Sequence, residues 1–219
     1  MDTSKPTTSV IRKDVRRNRA SLLTAARAAM SERGLGAPLE DIARRAGVGI
    51  ATLYRHFPNR DALIEAIMTD EFGAFTHAAE EGLALTDPWE GFCHYLWRLG
   101  EIQAAEGHMR EFLGGYIPAS PTLRQLHHSL MDLIRQLVER AQWAGALRPD
   151  VVAEDTAFVA WTNAQVMAAT QQVAPEVWRR ALGLMIDGFR ADAAHPLPGR
   201  RLDENDLLSG LGHLRSRRG

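Results

Sequence analysis

The segment from Leu39 to Leu63 constrains the fold of this chain more than any other stretch of its 219 residues. Apolar residues recur at three- and four-residue intervals over its first eight positions, which predicts a short helix with one buried face. They are Leu39, Ile42, Ala43 and Ala46. Gly47 can adopt the positive φ that ends a helix in a sharp turn, and Val48 then places an apolar side chain in the angle that follows.

A second short helix is predicted from Ala51 to Phe57, with Leu53 and Phe57 on its inner side. Pro58 disfavours helix at the residue before it, so the second helix ends there, and Asn59 is a good N-cap for a third. The outer side of the second helix keeps Thr52, Arg55 and His56. This arrangement is typical of a helix-turn-helix, which places its second helix in the major groove of DNA.

Residues 17–68 resemble the DNA-binding signature of TetR-family transcriptional regulators. The matching positions are Ile42, Ala43, Ala46, Gly47, Val48, Thr52, Leu53, Tyr54, His56, Phe57, Arg60 and Leu63. The resemblance implies that Gly49–Phe57 is the recognition helix, that Arg60 binds a phosphate, and that Tyr54 and His56 lie at the DNA backbone. It also implies that the residues nearest the base edges are Ile50, Ala51, Thr52 and Arg55.

Positive charge is concentrated at the N-terminal end of the chain. Residues 1–60 carry 12 Lys and Arg against 5 Asp and Glu, whereas residues 61–219 carry 14 against 22. Such a split suits a DNA-binding surface confined to one end. Residues 1–11 are predicted to form a flexible basic arm that reaches DNA, ahead of a DNA-binding domain over residues 12–58. For Met1–Ser9 the alternative is a disordered solubilising tail, and the basic residues from Arg12 to Arg19 are better candidates for DNA contact. The predicted DNA-binding residues are Arg17, Arg44, Arg45, Gly49, Ile50, Ala51, Thr52, Tyr54, Arg55, His56 and Arg60.

The remainder of the chain reads as a series of helices. Start signals recur, such as Asp87-Pro88 with Glu90 as a capping-box residue and Ser120-Pro121 further on. Helices are predicted near residues 14–33, 59–81, 88–105, 108–115, 121–144, 151–173 and 175–194. No segment alternates as a strand would, so the predicted fold is all-α. It comprises an N-terminal three-helix DNA-binding domain, a larger helical ligand-binding and dimerisation domain over residues 59–195, and a C-terminal tail over residues 196–219 with a short helix near 203–215.

Large apolar and aromatic side chains are frequent between residues 89 and 167, where an ordinary core is the default interpretation. The family resemblance implies an effector cavity among these helices, and aromatic and Met side chains with a few polar groups suit a largely apolar small molecule. The predicted ligand-binding residues are Trp89, Phe92, Tyr95, Phe112, Tyr116, His127, Trp161, Asn163 and Gln165. An effector would act through its different affinities for two arrangements of the protein.

The last two predicted long helices carry stripes that suggest a homodimer. Small residues follow one face of the first, and large apolar residues follow a 4-3-4 spacing on the second. Two such hairpins can pack as a four-helix bundle across a two-fold axis, or both stripes can face their own core. A dimer would bind a palindromic operator with its recognition helices roughly 34–36 Å, or a multiple of that, apart. The predicted interface residues are Ala157, Ala160, Ala164, Ala168, Trp178, Leu182, Met185 and Phe189.

Other classes of protein receive little support from the sequence. Cys93 is the only cysteine, and no signal segment or membrane-length apolar run is visible, so a cytoplasmic protein is expected. The eight histidines are scattered, and no phosphate loop, nucleophile elbow or cysteine cluster occurs. We therefore expect no catalytic residue, metal or cofactor. The favoured function is a repressor released from DNA by an effector; the alternatives are an activator of the same fold, a helical enzyme or metal- or small-molecule-binding protein, and a structural helical protein.

Overall fold

The computed structural model describes residues 8–106, 120–192, 194–201 and 203–209. Its helices are α1 Thr8–Arg33, α2 Leu39–Arg45, α3 Ile50–His56, α4 Arg60–Ala84, α5 Pro88–Glu106, α6 Pro121–Trp143, α7 Asp155–Thr170 and α8 Val177–Gly188. Residues 204–209 are also helical. Within these ranges the only extended pairing is an isolated bridge between Leu147 and Arg190. The all-α prediction is confirmed.

The chain divides into two compact units, Met1–Ile67 and Met68–Gly219. The sequence placed the domain boundary between residues 58 and 59, nine residues earlier. The difference arises at the start of α4, because its first two turns belong to the first unit and bury Leu63, Ile64 and Ile67. The DNA-binding unit therefore includes the beginning of a fourth helix.

The first unit buries the apolar faces that the sequence spacing predicted. Leu39, Ile42 and Ala43 of α2 are buried, as is Leu53 of α3. They share a core with α1, whose buried residues are Leu22, Leu23, Ala25, Ala26, Ala29 and Met30. α1 begins at Thr8, so residues 8–11 of the predicted arm are helical, and residues 1–7 lie outside the described part of the chain.

In the second unit, α5 contacts α6, α7 and α8, and glycines allow two of its close approaches. A Cβ atom on Gly82 of α4 would lie 2.6 Å from the carbonyl oxygen of Gly91 in α5. A Cβ atom on Gly100 would lie 2.5 Å from Cζ3 of Trp178 in α8. Any larger residue at these positions would push the helices apart.

Two predicted helix starts in this unit are confirmed in detail. The Asp87 carboxylate accepts hydrogen bonds from the backbone N–H groups of Trp89 (2.8 Å) and Glu90 (3.2 Å) at the start of α5. The Ser120 hydroxyl accepts one from Leu123 N–H (3.2 Å) at the start of α6. α7 and α8 are shorter than predicted at both ends, and the predicted helix over residues 108–115 lies outside the described residues.

Candidate functional site

The turn between α2 and α3 has the geometry that its glycines predict. Gly47 has φ +70°, a conformation that other residues rarely adopt, and its N–H donates to the Arg44 carbonyl at 3.1 Å. Val48 N–H donates to the Ala43 carbonyl at 3.0 Å, which closes the C-terminus of α2. Gly49 then caps α3 in an extended conformation, with φ −72° and ψ 152°, and its carbonyl accepts from Thr52 N–H. The angle between the two helices is thus fixed by backbone hydrogen bonds.

α3 buries one face and presents the other. Leu53 is fully buried and Phe57, directly after the helix, is nearly so, while 46% of Tyr54 is exposed. The other exposed residues of α3 are Ile50, Ala51 and Arg55, and the half-buried ones are Thr52 and His56. A guanidinium nitrogen of Arg55 lies 3.4 Å from the Thr52 hydroxyl. The outward face therefore combines apolar, hydroxyl and basic groups, which are the types that read base edges and bind phosphates in a major groove.

Basic groups meet at the C-terminal end of α3. The Arg19 guanidinium of α1 lies 5.7 Å from the centre of the Phe57 ring, close to His56. Partial burial, with the charges of Arg55 and Arg19, lowers the pKa of His56 below its ordinary value, so its imidazole is neutral at neutral pH. The sequence marks Arg19 only as one of several basic residues of α1 that could contact DNA, and its position beside α3 follows from the fold.

A buried carboxylate holds the basic residues at the end of α2. Asp41 accepts hydrogen bonds from Arg44 and from Nε of Arg45 (3.1 Å), and lies 3.2 Å from Arg33 of α1. Arg45 also binds both carboxylate oxygens of Glu32, at 2.9 and 2.7 Å. Arg45 therefore fastens α2 to α1, whereas the Arg44 side chain remains mostly exposed. DNA contacts by these two arginines stay predictions.

Arg60 also has a structural role that the sequence did not indicate. Its Nη1 donates to the carbonyl oxygens of Leu35 and Ala37, both at 2.6 Å, and so holds the connection between α1 and α2. A phosphate contact by Arg60 stays a prediction. Arg17 is exposed on α1 and forms a 3.0 Å ion pair with Asp14.

The second unit contains a cavity of about 160 Å³. Its lining is mainly apolar: Met68, Glu71, Phe72, Phe75, Tyr95, Leu99, Gln103, His127, Leu130, Met131, Ile134, Thr156, Ala157, Ala160, Trp161, Ala164 and Leu207. Among the predicted ligand residues, Tyr95, His127 and Trp161 are part of this lining. Asn163 is fully buried and donates to Gln103 Oε1 at 3.0 Å, and Gln103 in turn donates to the Ala160 carbonyl.

The other predicted ligand residues lie elsewhere. Phe92 packs edge-on against Phe189, with ring centres 5.5 Å apart, and Trp89 adjoins Phe92 at 6.0 Å. These aromatic rings form a separate cluster that is not part of the cavity wall. Gln165 is exposed and does not line the cavity. Phe112 and Tyr116 lie outside the described residues.

Two of the residues predicted for a dimer interface face the chain's own core, which corrects the prediction for them, while a role of the others between two chains stays a prediction. Trp178 and Leu182 are 2% and 0% exposed within a single chain, because they pack against Gly100 of α5. The small residues Ala157, Ala160 and Ala164 line the cavity, Phe189 packs on Phe92, Met185 is half-buried, and Ala168 is exposed. The exposed apolar side chains of α7 and α8 are instead Phe158 and Leu184.

None of the cavity residues on α4 was predicted, although a signal was present. Met68, Phe72 and Phe75 follow one another at four- and three-residue intervals, so they share one helix face. Leu207 was missed for a different reason, because its place in the cavity wall depends on how the C-terminal tail folds back.

A metal centre and a reactive thiol find no support among the described residues. They contain no group of three or more His, Cys, Asp and Glu side chains that could hold a metal ion. Burial raises the pKa of the Cys93 thiol to about 11, which keeps it protonated and a poor nucleophile. Among the helices described above, none is both long and apolar enough to cross a bilayer.

Family comparisons match both units. The model for bacterial regulatory proteins of the tetR family matches residues 22–67, and that for the C-terminal domain of SbtR-like transcriptional regulators matches residues 87–191. No curated protein matches the chain significantly.

Solved structures agree with the family models. A TetR transcriptional regulator from Streptomyces coelicolor is 33% identical, with 80% of this chain and 99% of that chain covered and a TM-score of 0.57. A TetR regulatory protein from Mycobacterium vanbaalenii is 30% identical, with 82% and 99% covered and a TM-score of 0.55. FadR from Bacillus subtilis, in complex with stearoyl-CoA, shares the fold at 15% identity, with 78% and 98% covered and a TM-score of 0.61.

One matched region lies within each of the two units that the structure defines. The first contains the helix-turn-helix and its exposed α3 face, and the second contains the cavity. Regulators of transcription are generally not enzymes. The chain belongs to the TetR family and is a DNA-binding transcriptional regulator.

Proposed function

We propose that this regulator is a cytoplasmic homodimeric repressor that binds a palindromic operator through α3 and leaves it when a small molecule occupies the cavity of the second unit. The observation that carries the proposal is the outward face of α3, where Tyr54, Arg55 and their neighbours are exposed on a helix whose position is fixed by the Gly47 turn. A two-fold dimer presents two such helices, and a palindrome matches that symmetry.

The chemistry of α3 suggests how an operator is recognised. Ile50 and Ala51 offer apolar contacts to thymine methyl groups, and the Arg55 guanidinium can donate to guanine acceptors. Tyr54 and His56 suit the phosphate backbone, which fixes register and contributes salt-dependent affinity. Because few side chains here can form bidentate contacts with bases, DNA shape contributes to specificity as well.

Binding-site selection from random duplexes, followed by salt-titrated affinity measurements, tests the DNA-binding proposal. We expect an enriched palindrome whose half-sites lie about one DNA turn, or a multiple of it, apart. Tyr54→Phe should weaken binding severalfold and Tyr54→Ala about tenfold or more, without loss of stability, because the side chain is exposed. Leu197→Ala, at an exposed position of the second unit, is the matched control. No enriched sequence, or equal binding by Tyr54→Ala and its parent, would contradict the proposal.

The homodimer is supported by apolar groups on α7 and α8 that one chain leaves exposed. Leu184 is 63% exposed and Phe158 43% exposed, and burying both in an interface would remove their apolar surface from water. Leu184→Glu should therefore shift the chain toward monomer in sedimentation experiments. Leu85→Glu introduces the same change at an exposed loop position and should leave the dimer intact. A dimer unaffected by Leu184→Glu would place the interface elsewhere.

Release by an effector is supported by the largely apolar cavity. A ligand there changes operator affinity only by binding one state of the protein more tightly than the other. Ligands found by thermal-shift screening should therefore also lower operator affinity. Transcription from a promoter that overlaps the operator, measured with and without the protein, distinguishes repression from activation. A repressor lowers this transcription and an activator raises it.

A further inference from the structure

The C-terminal segment 203–209 lies beyond both regions that the family models match, yet its start is well defined. Asp203 N–H donates to the Asp206 carboxylate at 3.2 Å, and Asp206 N–H donates to the Asp203 carboxylate at 2.8 Å. This reciprocal pair is a capping box, which stabilises the first turn of a helix. The Arg200 guanidinium also binds both oxygens of Asp206. The segment therefore has its own local determinants of structure.

The segment is fastened to α6 by a carboxylate. Glu204 Oε1 lies 2.6 Å from Nδ1 of His128 and 3.8 Å from Nδ1 of His127. His128 is exposed, but His127 is buried and lines the cavity, with its ring edge-on to Phe72. Glu204 thus fastens the segment to α6 through His128, next to a residue of the cavity wall.

Leu207 completes that wall. It is only 2% exposed and lines the cavity together with residues of α4, α5, α6 and α7. The next residue, Leu208, is half-buried and is not part of the lining. Of these two adjacent leucines, only Leu207 lines the cavity.

The cavity is small and carries no basic group among its described lining residues. Its volume of about 160 Å³ is close to the roughly 150 Å³ of a cavity that holds benzene and well below the roughly 300–1,000 Å³ of pockets for drug-sized ligands. Tyr95, Thr156 and His127 offer hydrogen-bonding groups, and burial lowers the pKa of His127, which keeps its imidazole neutral. Such a wall, which also contains the buried acidic residue Glu71, favours an uncharged ligand over a carboxylate or phosphate.

We propose that segment 203–209 is part of the effector site, and that Leu207 restricts the site to an uncharged ligand of one-ring size bearing a hydroxyl or a similar hydrogen-bonding group. The assignment of an effector to this cavity rests on the proposed function. The C-terminal tail thereby acquires a role in ligand selection.

Calorimetric titration of the full chain with two probes, phenol and 2-naphthol, tests this proposal. The parent should bind phenol more tightly than 2-naphthol, because the second ring does not fit. Leu207→Ala removes the side chain that closes the cavity, so it should bind 2-naphthol at least tenfold more tightly than the parent does. Leu208→Ala should keep the parent's preference, since its side chain is not in the wall.

A second pair of variants removes the anchor and leaves the lining unchanged. Glu204→Ala should loosen the segment and raise 2-naphthol affinity as Leu207→Ala does, whereas Glu204→Gln keeps a hydrogen-bonding group toward His128 and should stay close to the parent. If Leu207→Ala does not fold, the two Glu204 variants test whether segment 203–209 selects the ligand. An unchanged probe preference in Leu207→Ala and Glu204→Ala would overturn the role of the segment, and a parent that prefers 2-naphthol or does not bind phenol would overturn the ligand class.

Operator affinity measured in the same preparations separates this proposal from the proposed function. Operator binding together with an unchanged probe preference would refute the role of the segment and leave the regulator intact. A switched probe preference without any effect of phenol on operator affinity would support the site, and would count against effector release by this class of ligand.

Discussion

Replacing Arg60 with alanine should destabilise the DNA-binding unit. The side chain donates to the carbonyl oxygens of Leu35 and Ala37, both at 2.6 Å, in a partly buried position. Hydrogen bonds from charged donors contribute about 1.5–3 kcal/mol each, but here water can reach the released carbonyls, so we expect a total loss of about 2 kcal/mol. For a unit of this size, that loss corresponds to a melting temperature lower by roughly 10 °C.

The position of the tryptophans makes this loss measurable. All five lie in the second unit, so tryptophan fluorescence reports that unit alone, whereas circular dichroism reports both. Arg60→Ala should lower the midpoint temperature of the first unfolding transition seen by circular dichroism. It should leave the midpoint temperature of the fluorescence transition unchanged. Hydrogen exchange should accelerate around residues 35–37.

Arg55→Ala is the matched control, because Arg55 is exposed and its side chain contacts only the Thr52 hydroxyl at 3.4 Å among the hydrogen bonds described. It should weaken operator binding with a stability change within about 0.5 kcal/mol. If the stability of Arg60→Ala lies within about 0.5 kcal/mol of the parent's, the contacts to the two carbonyl oxygens do not stabilise the unit. If Arg60 also binds a phosphate, its loss lowers the salt slope of operator binding by about one.

Three further predictions concern other parts of the chain. Operator affinity should rise severalfold as the pH falls from about 8 to 5. Burial and neighbouring arginines lower the pKa of His56 in the free protein, whereas a DNA phosphate would raise it, so binding takes up a proton. His56→Gln should make the operator affinity less dependent on pH. Asp41→Asn should cost the first unit about 2 kcal/mol by leaving Arg45 and its neighbours without their buried carboxylate, as measured by circular dichroism melting. Gly100→Ala should cost about 1–3 kcal/mol by forcing Trp178 away, as seen in the fluorescence transition.

Each of the two stability predictions has a simple control. Asp61→Asn alters an exposed carboxylate in the first turn of α4 and should change stability by less than about 0.5 kcal/mol. Gly73→Ala introduces a methyl group with nothing within 4 Å on an exposed helix face, so it should stabilise the protein by about 0.5–1 kcal/mol. If Asp61→Asn changed stability as much as Asp41→Asn, or Gly73→Ala as much as Gly100→Ala, the assigned charge or packing contacts would be wrong. An operator affinity independent of pH would contradict the prediction for His56.

The helix-turn-helix was predictable because its determinants are local. The spacing of Leu39, Ile42 and Ala43, the positive φ of Gly47 and the cap at Asn59 all depend on residues within a few positions, and each has the predicted place in the structure. The same holds for the caps of α5 and α6, where a side chain meets a backbone N–H two or three residues away.

The features that escaped prediction depend on contacts distant in sequence. Arg60 binds carbonyls 23 and 25 residues away, and Glu204 binds a histidine 76 residues away. A stripe such as Ala157–Ala164 indicates close packing on that face, but it does not say whether the neighbour belongs to the same chain or to a second copy. In the structure these residues line the chain's own cavity, and their place in a dimer stays a prediction.

The crossing of α4 and α5 at Gly82 and Gly91 has a consequence for how related sequences diverge. Each glycine faces the backbone of the other, with Leu137 beside both, so neither position can accept a side chain while its opposite backbone stays in place. The two positions should therefore vary together, and a relative that carries alanine at one should show a wider helix crossing and a smaller residue at the position of Leu137. Since α4 and α5 both contribute to the cavity wall, such coupled changes would alter its width without any substitution in the wall itself.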